Sequence, residues 1–212
     1  MRELAAVVIW LCAFWVIPTQ AAYLATHSLN GEVETHTWKS LRDAQIVKQN
    51  EDFSCGAASL ATLLNGYYGQ SLTEKQILKD MNKPDMMANF EDMAWVVNGY
   101  GFKAGGVALS YEQLSKLTVP VVVYLQVKGN DHFSVLRGIS STHVQLADPS
   151  MGNRTFSKAQ FQEMWETRSD ANLKGKILLV LPQDSAVSKN TSFFATPTPN
   201  DLSLQALLLQ RH

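Results

Sequence analysis

Apolar residues recur at helical spacing from Cys55 to Tyr67 (CGAASLATLLNGY): Ala58, Leu60, Ala61, Leu63 and Leu64 fall together, and Gly66 and Gly69 mark the end. Three reciprocal capping pairs, Thr73 with Gln76, Ser110 with Gln113 and Ser157 with Gln160, open further helices over about 73–81, 110–117 and 157–166. A fifth helix is predicted from Asn89 to Asn98, ahead of Gly99. The character then changes. Pro120–Val127 (PVVVYLQV), His132–Ile139 (HFSVLRGI), Thr142–Asp148 (THVQLAD) and Lys176–Leu181 (KILLVL) are short, rich in Val, Ile and Leu, and bounded by Gly, Asn, Ser or Pro, so they read as strands. Helices gathered toward the N-terminal half and strands toward the C-terminal half describe an α+β domain rather than a doubly wound one.

The two ends follow other patterns. Residues 1–21 begin with Arg2 and run without charge from Leu4 to Ile17, followed by Pro18 and small residues. This is the pattern of a secretory signal peptide cut between Ala21 and Ala22, and it implies a periplasmic protein. The competing reading is an uncleaved membrane anchor, but the run of 17 − 3 = 14 residues falls short of the ~20 a spanning helix needs. Residues 22–182 then supply one core. In the tail, 183–212, the stretch from Gln183 to Asn200 is rich in Ser, Thr, Asn and Pro with neither helical nor strand period, and reads as a flexible linker. The last residues, DLSLQALLLQRH, could form a short helix capped by Asp201.

Composition narrows the partners. With 18 Lys+Arg against 19 Asp+Glu and no run of like charge, the chain lacks the field of a nucleic-acid binder or a polybasic membrane-surface protein. It contains no GxxxxGK[ST] or GxGxxG loop for a nucleotide. Two cysteines make no disulfide framework, and without HExxH or paired ligands they make no zinc site either, so neither a metal nor another cofactor is expected.

Loss of residues 1–21 would remove Cys12 and leave Cys55 as the one thiol of an exported chain. A lone cysteine there is either buried and inert or kept for its reactivity. Cys55 sits at a helix start, where unpaired N–H groups and the helix dipole favour a thiolate, and Gly56 and Ala57 keep the first turn small enough for a substrate backbone to approach. A thiol nucleophile needs an imidazole, and the imidazole needs an orienting group. His132 and Asp148 lie eight residues either side of Ser140, since 140 − 132 = 148 − 140. A reversal centred there sets them directly opposite on antiparallel strands, about 4.5–5.5 Å apart at Cβ. One residue of slip would separate them. The Cys55 N–H supplies one oxyanion donor, and Gln49, at 55 − 49 = 6 residues upstream, carries an amide for the second. His27 and His36 lie in the extended N-terminal segment, His143 starts a strand with no carboxylate at matching register, His212 is the terminal residue, and a GxSxG elbow for serine chemistry is missing.

The segments QNEDFSCGAASLATLLNGYYG, DHFSVLRGI and VQLADPSMG resemble the papain-like cysteine peptidases that process bacteriocin leaders at double-glycine sites, over roughly residues 45–180. The resemblance implies a papain-like fold, with N-terminal helices packed on a C-terminal antiparallel sheet. It also implies Cys55 as nucleophile, His132 as general base and acid, Asp148 as orienter and Gln49 as oxyanion donor. This chain departs from that family in having Ser54 where many members carry an acidic residue, and in bearing an export signal rather than transporter segments. An exported, standalone member looks like the peptidases encoded with bacterial functional-amyloid (Fap) secretion systems. The expected partners are then polypeptides, secreted amyloid or leader-bearing subunits, together with secretion components at the membrane. Two other functions use the same residues: a peptide-binding chaperone for secreted subunits in which catalysis is dispensable, and a Cys-His-Asp acyltransferase.

Overall fold

The computed structural model describes residues 21–25, 30–34, 37–83 and 86–197. Residues 1–20, which hold nearly all of the expected export signal, and residues 198–212, which hold the expected terminal helix, lie outside the described residues. Strands β1 (Ala21–Ala25) and β2 (Asn30–Glu34) pair antiparallel with each other, from Ala21↔Glu34 to Ala25↔Asn30, and belong to a compact unit, 1–37, of their own. The main unit therefore begins at Trp38 rather than at residue 22.

In chain order the main unit contains α1 (Trp38–Arg42), α2 (Cys55–Tyr68), α3 (Glu74–Asp80), α4 (Phe90–Asn98), β3 (Phe102–Leu109), α5 (Tyr111–Leu114), β4 (Val121–Val127), β5 (Asn130–Ile139), β6 (His143–Asp148), β7 (Gly152–Ser157), α6 (Lys158–Trp165) and β8 (Gly175–Pro182), then a 3₁₀ turn at Thr191–Phe193. The six strands β3–β8 form one antiparallel sheet in the order β3-β8-β4-β5-β6-β7. The expected α+β architecture is present.

The sheet is covered on both faces. Val122, Phe133, Val135, Ala147, Leu178 and Val180 pack with α2, α3 and α4, while their chain neighbours Val121, Val123, Leu136, Leu146 and Ile177 pack with α5 and α6. Burial on both faces is why PVVVYLQV reads as a continuous apolar run instead of an alternating one. Within α2, Ala57, Ala58, Leu60, Ala61, Leu63 and Leu64 are all fully buried, so this helix is central and apolar all round. It ends at Gly69, whose φ of 67° is the left-handed C-terminal turn that glycine adopts freely. The capping boxes expected at Ser110/Gln113 and Ser157/Gln160 form, Thr73 accepts from the Gln76 N–H, and Asn89 with Asp92 adds another box at α4.

Within this sheet two strands carry no signal in the sequence, and both are edges. β3 (FKAGGVAL) pairs only with β8 and β7 (GNRTFS) only with β6. An edge strand needs one hydrogen-bonding neighbour and little apolar burial, so polar residues and a Gly105-Gly106 pair are tolerated there.

The expected linker from Gln183 onward is corrected over its described part. Phe193 is fully buried, Gln183 N–H bonds to Gly101 O at 2.9 Å, Asn190 N–H to Tyr67 O at 2.7 Å and Ala195 N–H to Arg137 O at 3.0 Å. One buried aromatic and a few backbone bonds hold a segment whose polar composition gives no period to read.

Candidate active site

Cys55 opens α2 and is 1% exposed. The helix start has no side-chain cap: the Ser54 hydroxyl donates to Glu51 O at 2.7 Å instead, closing the 51–54 turn. Ser54 thus shapes the approach to the helix and leaves its first N–H groups to whatever meets the sulfur. Gly56 has a different role from the one its size suggests. A Cβ there would lie 2.6 Å from Met93 Cε and 3.4 Å from Phe133 Cδ2, so internal packing, not room for a substrate, demands glycine.

His132 and Asp148 do meet. His132 Nε2 lies 2.7 Å from Asp148 Oδ2, with the two side chains 14% and 1% exposed. The route differs from the one expected. Ser140 N–H bonds to His143 O, so the reversal is centred later than Ser140. The ladder then runs Ile139↔Val144, Gly138↔Gln145, Leu136↔Leu146, Val135↔Ala147, with Arg137 as an extra, bulged residue. Continuing this register sets Asp148 opposite Ser134, a diagonal neighbour of His132. Without the bulge it would fall opposite Val135, on the other face from His132. The late turn and the bulge together shift the register by two residues, and an even shift preserves the face.

Asp148 is held from below as well. Its Oδ1 accepts the Ser150 and Met151 N–H groups at 2.9 and 2.8 Å, which the sequence signals as an Asx turn in DPSM. Burial alone would raise its pKa, but the bond and charge of His132 and these two N–H groups outweigh that and lower it. For His132 burial is also the largest single influence and pushes the pKa down. Hydrogen bonds that the ring donates to Asp148 and Cys55, with the charges of those two groups, more than reverse it and lift the pKa to about 9. With Nε2 committed to Asp148, Nδ1 is the ring nitrogen left for the Cys55 thiol.

Gln49 lies on the loop before α2, tied to the Asp148 turn by Gln49 N–H to Pro149 O at 3.1 Å and Lys48 Nζ to Ser150 O at 2.6 Å. Its Nε2 donates to Glu51 O at 3.2 Å, leaving one N–H uncommitted, and its Oε1 is buried without a protein partner. Sequence reasoning missed the residue that fixes this loop from the other side. Glu74, at the start of α3 and 3% exposed, accepts from Asn50 N–H at 2.9 Å and Asn50 Nδ2 at 2.5 Å. Among the described residues, no group of three or more His, Cys, Asp or Glu could hold a metal ion.

A helix-borne cysteine coupled to an imidazole that a carboxylate holds on an adjoining antiparallel sheet is the arrangement of a papain-like cysteine peptidase. The family model described as the peptidase C39 family matches residues 43–169, more than half of the chain, and the chain belongs to this family of cysteine peptidases. It is similar to proteins described as probable functional amyloid protease FapD. That of Pseudomonas aeruginosa is 31% identical over 160 residues, 70% of this chain and 71% of the relative. That of Pseudomonas fluorescens is 29% identical over 159 residues, 70% of each chain. Among solved structures, a double glycine motif protease from an AMS/PCAT transporter, in complex with its leader peptide, superposes with a TM-score of 0.54 at 25% identity, covering 65% of this chain and 90% of that one. The peptidase domain of Streptococcus ComA, with a TM-score of 0.55 at 20% identity, covers 65% of this chain and 98% of its own and shares the fold.

Proposed function

We propose that the protein is an exported, periplasmic endopeptidase that cleaves polypeptides during secretion or functional-amyloid assembly, with Cys55 as nucleophile. The observation that carries this is the His132 ring, bonded through Nε2 to Asp148 and coupled to the Cys55 thiol. The Cys55 thiolate attacks the scissile carbonyl, and the tetrahedral oxyanion is met by the Cys55 N–H and the free N–H of Gln49. His132 delivers a proton from Nδ1 to the leaving amine, giving an acyl-enzyme, and then takes a proton from the water that hydrolyses it. Asp148 holds the tautomer and stabilises the imidazolium throughout. No step calls for a cofactor.

The apolar run Leu4–Ile17 followed by Pro18 and small residues supports export. The description of the Pseudomonas relatives supports an amyloid substrate, and the leader-peptide complex supports a leader-bearing one. A peptide carrying a thiol-directed electrophile should modify Cys55 in the purified mature protein, far more slowly in His132→Ala. Failure to modify Cys55, with the variant indistinguishable from wild type, refutes the reading. In cells, Cys55→Ala should accumulate uncleaved secreted protein. Restoration of secretion or fibre formation by that variant to the wild-type level would instead make the domain a chaperone.

A further inference from the structure

The bulge that aligns His132 with Asp148 is not held by the sheet alone. The segment following β8 returns across it, lying beyond the residues that match the family. Phe193 is fully buried against α2, so close to Gly66 that a Cβ there would lie 2.3 Å from Phe193 Cε2. On its other side the Arg137 guanidinium stands 4.9 Å from the ring centroid. Asn190 ties the segment to α2 through its N–H to Tyr67 O at 2.7 Å and its Nδ2 to Gly66 O at 3.1 Å. Ala195 ties it to β5, donating to Arg137 O at 3.0 Å, and its own carbonyl would lie 2.2 Å from a Cβ at Gly138. Arg137 completes the clasp by donating to Asn153 Oδ1 at 2.7 Å and Gln45 Oε1 at 3.2 Å.

We propose that Asn190–Ala195 is a positioning strap: Phe193, wedged between the helix that carries Cys55 and the β5 bulge, fixes Arg137 as the bulged residue and so keeps His132 in register with Asp148. The physical reason is parity. Loss of the extra residue, or its migration along β5 past His132, turns His132 and Asp148 to opposite faces. The backbone carbonyl and side chain of Arg137 are satisfied only while the bulge stays where it is. The strap binds both sides of the α2–β5 junction, so it also couples the nucleophile's helix to the histidine's strand. Its effect on the reaction rests on the roles proposed above for His132 and Asp148. Its effect on the bulge does not.

The test uses the full chain. Phe193→Leu, Arg137→Met and Gly66→Ala are compared with Phe161→Leu, which trims the core beneath α6 on the other face of the sheet. Gly66→Ala must push the Phe193 ring aside, whereas Arg137→Met removes only the clasp of the half-buried guanidinium, so Arg137→Met remains folded where the other two do not. The titration of the His132 ring, whose titratable neighbours are Asp148 and Cys55, and its bonded Nε2–H resonance are followed by NMR. Turnover is measured in parallel. In the three strap variants the midpoint should fall by about one pH unit or more and the Nε2–H signal broaden. Their kcat should drop about tenfold with KM held within about threefold. Phe161→Leu should lose stability and keep both NMR signatures. An unchanged midpoint and Nε2–H signal in folded Arg137→Met overturns the strap. A shifted midpoint with unchanged kcat leaves the strap standing and removes His132 from the mechanism.

Discussion

Replacing Asp148 by Asn removes a charge and puts a donor NH2 where Oδ2 now accepts from His132. The Asn carbonyl can still accept the Ser150 and Met151 N–H groups that Asp148 Oδ1 accepts now, while the charge beside His132 Nε2 disappears. In the wild type the His132 pKa stands at about 9 against an ordinary 6.5, and the difference of 9 − 6.5 = 2.5 corresponds to about 3 kcal/mol favouring the imidazolium. The side chain is only 14% exposed, so solvent screening takes little from this. A folded pKa raised above the unfolded one gives stability that is complete below pH 6.5 and lost as the pH rises through 9. Wild-type protein should therefore lose about 2–3 kcal/mol of unfolding free energy between pH 7 and 10 on account of this residue. Asp148→Asn should lose much less over that interval, because burial, unopposed by the carboxylate, returns the pKa toward or below 6.5. Urea titrations of both proteins at pH 7, 8.5 and 10 measure the slope, and NMR of the His132 ring reads the pKa directly. The same slope in both proteins, with a variant midpoint still near 9, would refute the account of this pair.

Three other substitutions test neighbouring features. Gln49→Ala should lower kcat by about 10²–10³ with little change in KM if its amide meets the oxyanion; steady-state kinetics on a cleaved peptide decide, and an unchanged kcat removes it from the site. Glu74→Ala strands the Asn50 N–H and amide, at a cost of about 1–3 kcal/mol in denaturant stability, and should lower kcat by loosening the Gln49 loop. Gly175→Ala would set a Cβ 2.1 Å from Trp165 Cε2. That ring is fully buried and stacked on Phe161, so thermal unfolding should show a loss of about 1–3 kcal/mol, and none would mean that the ring can give way.

What the sequence made legible was whatever leaves a local or periodic mark. The core helix α2 was plain from the apolar spacing in CGAASLATLLNGY, and α5 and α6 from hydroxyls three residues ahead of a glutamine. The central strands β4, β5, β6 and β8 stood out through their branched residues. The pairing of His132 with Asp148 was found for a reason only half right: two errors, a turn placed too early and an unseen bulge at Arg137, cancelled in parity. A bulge has no composition signal when its extra residue is an arginine satisfied by residues as distant as Gln45, Asn153 and Phe193. Edge strands β3 and β7 escaped because an edge asks little of its side chains, and Phe193 escaped because a single buried ring among the polar residues of TSFFATPTP makes no period.

The position of Cys55 on α2 and of His132 on β5 separates thiol and imidazole by 132 − 55 = 77 residues of chain. Bringing them together closes a long loop, an entropic cost met only when the helix has docked on the sheet. An unfolded chain holds a thiol with no imidazole beside it and an imidazole with no carboxylate. On the roles proposed for these residues, hydrolytic capacity is a product of tertiary folding, and the molecule is disarmed during any passage it makes as an extended chain.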